Sequence, residues 1–73
     1  MASDYHTNEK VKWRWGKGFG EGYIRDKYTD SVTLTLQGED VTRDASPNNP
    51  AYLIEQQDGA EVLKLASEIS KAS

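Results

Sequence analysis

Apolar residues at every second position organise much of this chain. Val11, Trp13 and Trp15 alternate with Lys10, Lys12 and Arg14, the period-2 pattern of a strand with one buried face and one solvated, basic face. This predicts a first strand beginning near Lys10. Glycines at 16, 18, 20 and 22 follow. They predict a tight loop around Lys17 to Phe19 and either a close approach of neighbouring strands or a sharp bend. A second strand is expected from Glu21 to Tyr28. Asp30 and Ser31 then supply turn chemistry, after which Val32, Leu34 and Leu36 alternate with Thr33 and Thr35, the cleanest amphipathic strand in the chain. Gln37 to Asp40 reads as the next turn, and Val41 to Arg43 as a short strand or strand continuation.

The second half is punctuated more heavily. Ala45 to Asn49 reads as a loop, and Pro50 biases the residue before it toward extended geometry as Ala51, Tyr52, Leu53 and Ile54 begin another strand. Asp58-Gly59 is a hairpin signal. Beyond it Val62, Leu65, Ala66 and Ile69 fall at helical spacing, with Asp58 and Glu61 as a capping pair, so strand and helix both have support. The favoured reading is a last strand over Ala60 to Lys64 and a short helical turn over Ala66 to Lys71. Five or six short antiparallel strands, tight turns and no long helix predict an all-β fold. A small, strongly bent SH3-like or Tudor-like barrel fits, since closing the sheet removes its edges. An OB barrel would want a longer chain and a helix between its third and fourth strands, which Gln37 to Asn49 does not supply.

With 73 residues the chain has room for one domain. Met1 to Glu9 is polar and aperiodic, which predicts a disordered tail on residues 1–9 and a barrel over residues 10–73. There is no cysteine, so no disulfide or thiolate metal site can form and the apolar core supplies the stability. No apolar run approaches the roughly 20 residues of a membrane span, and the start MASDYHTNEK lacks the basic and apolar regions of a secretory signal. A soluble cytoplasmic protein without membrane association is expected. The net charge of −3 conceals a division. Residues 10–28 carry six cations against two carboxylates, +4, whereas from residue 29 onward three cations face eight carboxylates, −5. An overall acidic chain lacks the footprint of a dedicated nucleic-acid binder, although its basic half can steer an anionic partner.

Catalytic chemistry is nearly excluded by inventory. His6 is the only histidine and lies in the expected tail, so neither a Ser-His-Asp nor a Cys-His arrangement can be assembled on a rigid scaffold. Glu39, Asp40 and Asp44 match no EF-hand loop and read as solvated turn acids. No metal, cofactor or small-molecule substrate is expected. WGKGFGEG lacks the GxxxxGK[ST] phosphate loop, and it fails GxGxxG spacing as well. A bent hairpin accounts for its glycines.

Taken in order, Val11-x-Trp13-x-Trp15-Gly16-x-Gly18 with Gly22, Ala45-Ser46-Pro47, Asn49-Pro50-Ala51-Tyr52-Leu53-Ile54, Asp58-Gly59 and Val62-Leu63-Lys64 form a pattern far more specific than any one piece. The pattern resembles the hypervirulence-associated protein Tudor-domain family over about residues 10 to 69. The resemblance implies a stand-alone Tudor-like barrel of small bacterial and fungal proteins, mostly without an assigned activity. It supplies no catalytic residues.

Aromatic side chains carry the functional question. Trp13 is expected inside, because one buried tryptophan is a large share of so small a core. Trp15 borders the glycine loop with Phe19 and Tyr23, and a Tudor-like topology would bring Tyr52 alongside. Together they would form a partial aromatic cage for methylated lysine or arginine, with Glu21 and Glu55 the only acids in reach of completing it. Asn48 and Asn49 would hydrogen-bond a partner's backbone. The favoured function is therefore a non-enzymatic binding module for a protein segment, using Trp15, Phe19, Tyr23, Tyr52, Asn48 and Asn49. The alternative is single-stranded nucleic-acid binding on Lys10, Lys12, Arg14, Lys17, Arg25 and Lys27, with Phe19 or Tyr28 as a stacking surface.

Overall fold

The structure, a computed structural model, describes residues 5–72. It is all-β, with seven short antiparallel strands: β1 Lys10–Trp15, β2 Gly18–Tyr28, β3 Val32–Leu36, β4 Glu39–Arg43, β5 Ala51–Glu55, β6 Glu61–Leu65 and β7 Ile69–Lys71. Five of them form one sheet in the order β6-β5-β2-β1-β7, and β3 pairs with β4 as a separate hairpin.

The turns set the registers. In β1–β2 the two turn residues are Gly16 and Lys17, and Trp15 stands opposite Gly18. Gly16 alone has a positive φ, 56°, the pattern of a type II′ turn whose twist suits the flanking strands. In β3–β4, Gln37 and Gly38 both have positive φ, 49° and 82°, as a type I′ turn requires. The β5–β6 connection is longer than the two-residue turn that Asp58-Gly59 suggests. Gln56 donates its N–H to the Ala60 carbonyl at 2.7 Å and Asp58 accepts from the Ala60 N–H at 3.0 Å, so Asp58 organises a loop instead of capping a helix.

β2 is long because it serves two partners. Its first part pairs with β1 and its second with β5, and between Ile24 and Asp26 the register shifts at a bulge. Two core clusters lie on either side of β5. Tyr52 and Ile54 pack with Tyr5, Val11, Trp13, Ile24 and Ile69, whereas Ala51 packs with Leu36, Ala45 and Leu63 beneath the β3–β4 hairpin. This two-sided burial explains the unbroken apolar run Ala51 to Ile54.

Several boundaries differ from expectation. The β1–β2 turn is only Gly16 and Lys17, so β2 begins at Gly18 instead of Glu21. The next turn is only Gln37 and Gly38, so β4 begins at Glu39 instead of Val41. Seven strands form where five or six were expected. Only Ala66–Glu68 forms the helical turn, a 3-10 turn, and Ile69–Lys71 pairs with β1 instead. Ile69 is buried among Val11 and Trp13, and this packing outweighs the helical spacing of Val62, Leu65, Ala66 and Ile69. The expected tail of residues 1–9 is corrected from Tyr5 onward; residues 1–4 lie outside the described residues. The Tyr5 ring meets Tyr52 edge-on at 5.5 Å and 88°, and its hydroxyl donates to the Ile69 carbonyl at 3.2 Å. Asn8 N–H donates to the Ile24 carbonyl at 2.7 Å, and Ile24 N–H donates to the Glu9 carbonyl at 3.0 Å. His6 is exposed in this turn.

Candidate functional site

Trp15 is the last residue of β1 and stays 72% exposed, whereas Trp13, two residues earlier on the same face, is 5% exposed. Trp13 packs into the core cluster and against Gly20, whereas nothing lies within 4 Å of a Cβ on Gly18. The residues opposite them, Gly18 and Gly20, have no side chains to cover the indoles. A Cβ on Gly20 would lie 2.6 Å from the Trp13 indole, so that ring lies directly on the Gly20 backbone. The result is a groove of about 300 Å³ lined by Trp13, Trp15, Gly20, Gln56, Val62 and Lys64. Lys64 is the one charged residue among these.

Phe19 and Tyr23 lie elsewhere. Phe19 pairs with Arg14 and Tyr23 with Lys10, placing both rings on the opposite, basic face of the hairpin. There the Lys12 ammonium stands 5.3 Å from the Phe19 ring centre and the Arg25 guanidinium 5.8 Å from that of Tyr23. Tyr52 is completely buried, and its hydroxyl accepts the Tyr5 N–H at 3.3 Å. The four expected cage aromatics are therefore not brought together: Tyr52 belongs to the core, and the exposed three divide between two faces. Asn49 is also committed internally. It exchanges hydrogen bonds with Ser67, accepting the backbone N–H at 3.0 Å and donating to the hydroxyl at 3.2 Å, while Asn48 is exposed.

The basic stretch is partly neutralised. Lys10 pairs with Glu21 at 3.6 Å, and Arg25 pairs with Glu55 at 2.9 Å and also hydrogen-bonds Asn8. Lys27 is exposed on the second part of β2, apart from the hairpin end. Arg14, Lys17 and Lys64 have no ion pair among the described residues. Glu39, Asp40 and Asp44 do not converge, for Asp40 accepts from Thr35 at 2.8 Å and Asp44 from Ser31 at 3.4 Å. Among the described residues no group of three or more histidines and carboxylates is placed to hold a metal. No helix there is long and apolar enough to cross a membrane.

A family model for the Tudor domain of hypervirulence-associated proteins matches residues 9–69. The chain belongs to that family. No curated protein and no solved structure matches it. Within this Tudor-family chain, Trp13 and the glycine alternation were readable in advance. Gln56, Val62 and Lys64 were not identified as groove walls. Val62 carries the signal of any core residue, and only the β5–β6 register brings Gln56 and Lys64 to the indoles.

Proposed function

We propose that this Tudor-family protein is a non-enzymatic binding module that holds a protein segment in the groove at the end of the β1–β2 hairpin. One observation carries the reading: Trp15, the largest side chain type, is 72% exposed beside a groove whose other indole is part of the core. Such an aromatic brings large contact area on a rigid base and little ordering cost on binding. The test is an amide and indole chemical-shift titration of the labelled protein with a pool of unstructured peptides. Shifts centred on Trp15, Gly20 and Val62 are expected. A silent groove at millimolar peptide would contradict the reading.

Single-stranded nucleic acid is the second reading, favoured by Phe19 with Lys12 over its ring and Arg14 beside it in register. The same titration with an oligonucleotide would then move Lys12, Arg14 and Phe19, and added salt would reverse it.

A further inference from the structure

We infer that the outer edge of β2 from Phe19 to Glu21 takes an extended segment of a partner chain as an added strand, antiparallel to β2 in the lane that β5 vacates. This rests on the reading of the groove beside Trp15 as a peptide site, and adds main-chain pairing to it. Register locates the edge. In the hairpin closed by Gly16 and Lys17, the backbone groups of Gly18, Gly20 and Gly22 turn toward β1, whereas those of Phe19, Glu21 and Tyr23 turn away. Ile24 continues the alternation, since its carbonyl accepts from Asn8 and its N–H donates to Glu9. β5 covers the outer side only as far as Tyr23, which pairs with Glu55, and then departs at Gln56, whose N–H donates to the Ala60 carbonyl at 2.7 Å. The outward backbone groups of Phe19 and Glu21 have no partner among the described residues. Those of Ile69 in β7 are taken, for its carbonyl accepts the Tyr5 hydroxyl and its N–H donates to the Ala66 carbonyl.

The surroundings fit a single strand. Between this edge and the β5–β6 loop lies a cavity of about 360 Å³ lined by Phe19, Gly20, Glu21, Gln56, Gln57 and Asp58. Gly20 and Gln56 line both this cavity and the Trp13–Trp15 groove. An added strand sends alternate side chains to opposite faces while its main chain provides the pairing. Its residue opposite Gly20 would face the groove, and the residues opposite Phe19 and Glu21 would exchange main-chain hydrogen bonds with them and lie on the Phe19 face. Such a strand would run between the two large aromatics exposed on opposite faces of this hairpin end, Trp15 at 72% and Phe19 at 61%. The Gln56 and Gln57 side-chain amides, which border the lane, make no hydrogen bond among the described residues. A second copy fits less well, because its own Phe19–Glu21 edge is bordered by its own β5–β6 loop, and two such edges would meet loop against loop.

The test titrates the labelled protein with three blocked tetrapeptides of sequence threonine-leucine-threonine-threonine, threonine being a good strand former. One is unmodified, one is N-methylated on its first and third residues, and one on its second and fourth. With the leucine facing the groove opposite Gly20, only the first and third N–H groups point at β2. The unmodified peptide and the second-and-fourth analogue are expected to shift the Phe19 and Glu21 amides together with the Trp15 indole. The first-and-third analogue should bind about tenfold more weakly, for two lost hydrogen bonds. Equal binding of the two methylated analogues, or shifts confined to Trp15 and Val62, would overturn the added strand while the groove remains a peptide site. Movement of the Phe19 and Glu21 amides with protein concentration alone would assign the edge to a second copy and overturn it too. Silence of both edge and groove at millimolar peptide would overturn both readings.

Discussion

The two tight hairpins end in different ways. Each closes with a two-residue turn after a large apolar residue, Trp15 in β1 and Leu36 in β3. Leu36 is 7% exposed and Trp15 is 72% exposed. The β3–β4 hairpin is tied to β6 at both its turn and its open end. Gln37 donates to the Glu61 carbonyl at 3.1 Å and accepts the Glu61 N–H at 2.8 Å, and Arg43 donates to the Leu63 carbonyl at 3.1 Å. These side chains occupy backbone groups on the outer edge of β6 that a further strand would otherwise take. On the outward face Thr33 bonds Thr42 and Thr35 bonds Asp40, both at 2.8 Å. The β1–β2 end has no such latch, and Arg14, Trp15 and Lys17 make no side-chain hydrogen bond among the described residues. One hairpin end completes the fold, and the other leaves its apolar and charged groups uncommitted, which is where a binding surface can be maintained without loss of stability.

The comparison breaks first at the buried aromatic. Tyr52→Ala empties the centre of one cluster and unpairs the Tyr5 N–H, so it should cost about 3–5 kcal/mol, enough to unfold much of so small a domain. Its far-ultraviolet dichroism and denaturant midpoint would show this. Gly20→Ala sharpens the account of the groove. Its Cβ would sit 2.6 Å from the Trp13 ring, so a loss of about 1–3 kcal/mol is expected, with displaced Trp13 resonances. Gln37→Ala should release the β3–β4 latch for about 1 kcal/mol and speed hydrogen exchange at the Glu61 amide.

The smallest effect concerns Tyr28. Partial burial and then the Asp26 carboxylate, which accepts its hydroxyl at 3.2 Å, raise its pKa above the ordinary 10.0. A raised acid pKa means that the folded state holds the proton more tightly. Its contribution is therefore complete below pH 10 and is lost as pH rises through the shifted value. Tyr28→Phe should flatten that alkaline part of the stability profile and cost a little at neutral pH, where the hydrogen bond to Asp26 is lost.

Much of this was legible along the chain, for reasons that also mark where legibility stopped. Alternation located the strands, and the size of Trp13 placed it inside. The cage failed on register. Once Gly16 and Lys17 alone form the turn, Phe19 pairs with Arg14 and lies on the opposite face from Trp15, whereas a loop running to Phe19 leaves that face undecided. Tyr52 was misplaced because alternation separates two faces of a strand but cannot show that both are covered, as they are in β5. Tyr5 sits in an aperiodic segment, and its burial depends on Tyr52 and Ile69, 47 and 64 residues away along the chain. Asn49 reads as a loop residue open to partners, and only the fold brings Ser67 within reach.

The most direct measurement is the unfolding free energy of Trp15→Ala set beside that of Leu36→Ala in the same denaturant series. Trp15→Ala should stay within about 0.5 kcal/mol of the parent, as exposed positions do, while Leu36→Ala loses about 2–5 kcal/mol. A loss at Trp15 as large as that at Leu36 would place the indole in the core and remove the free hairpin end on which the binding reading depends.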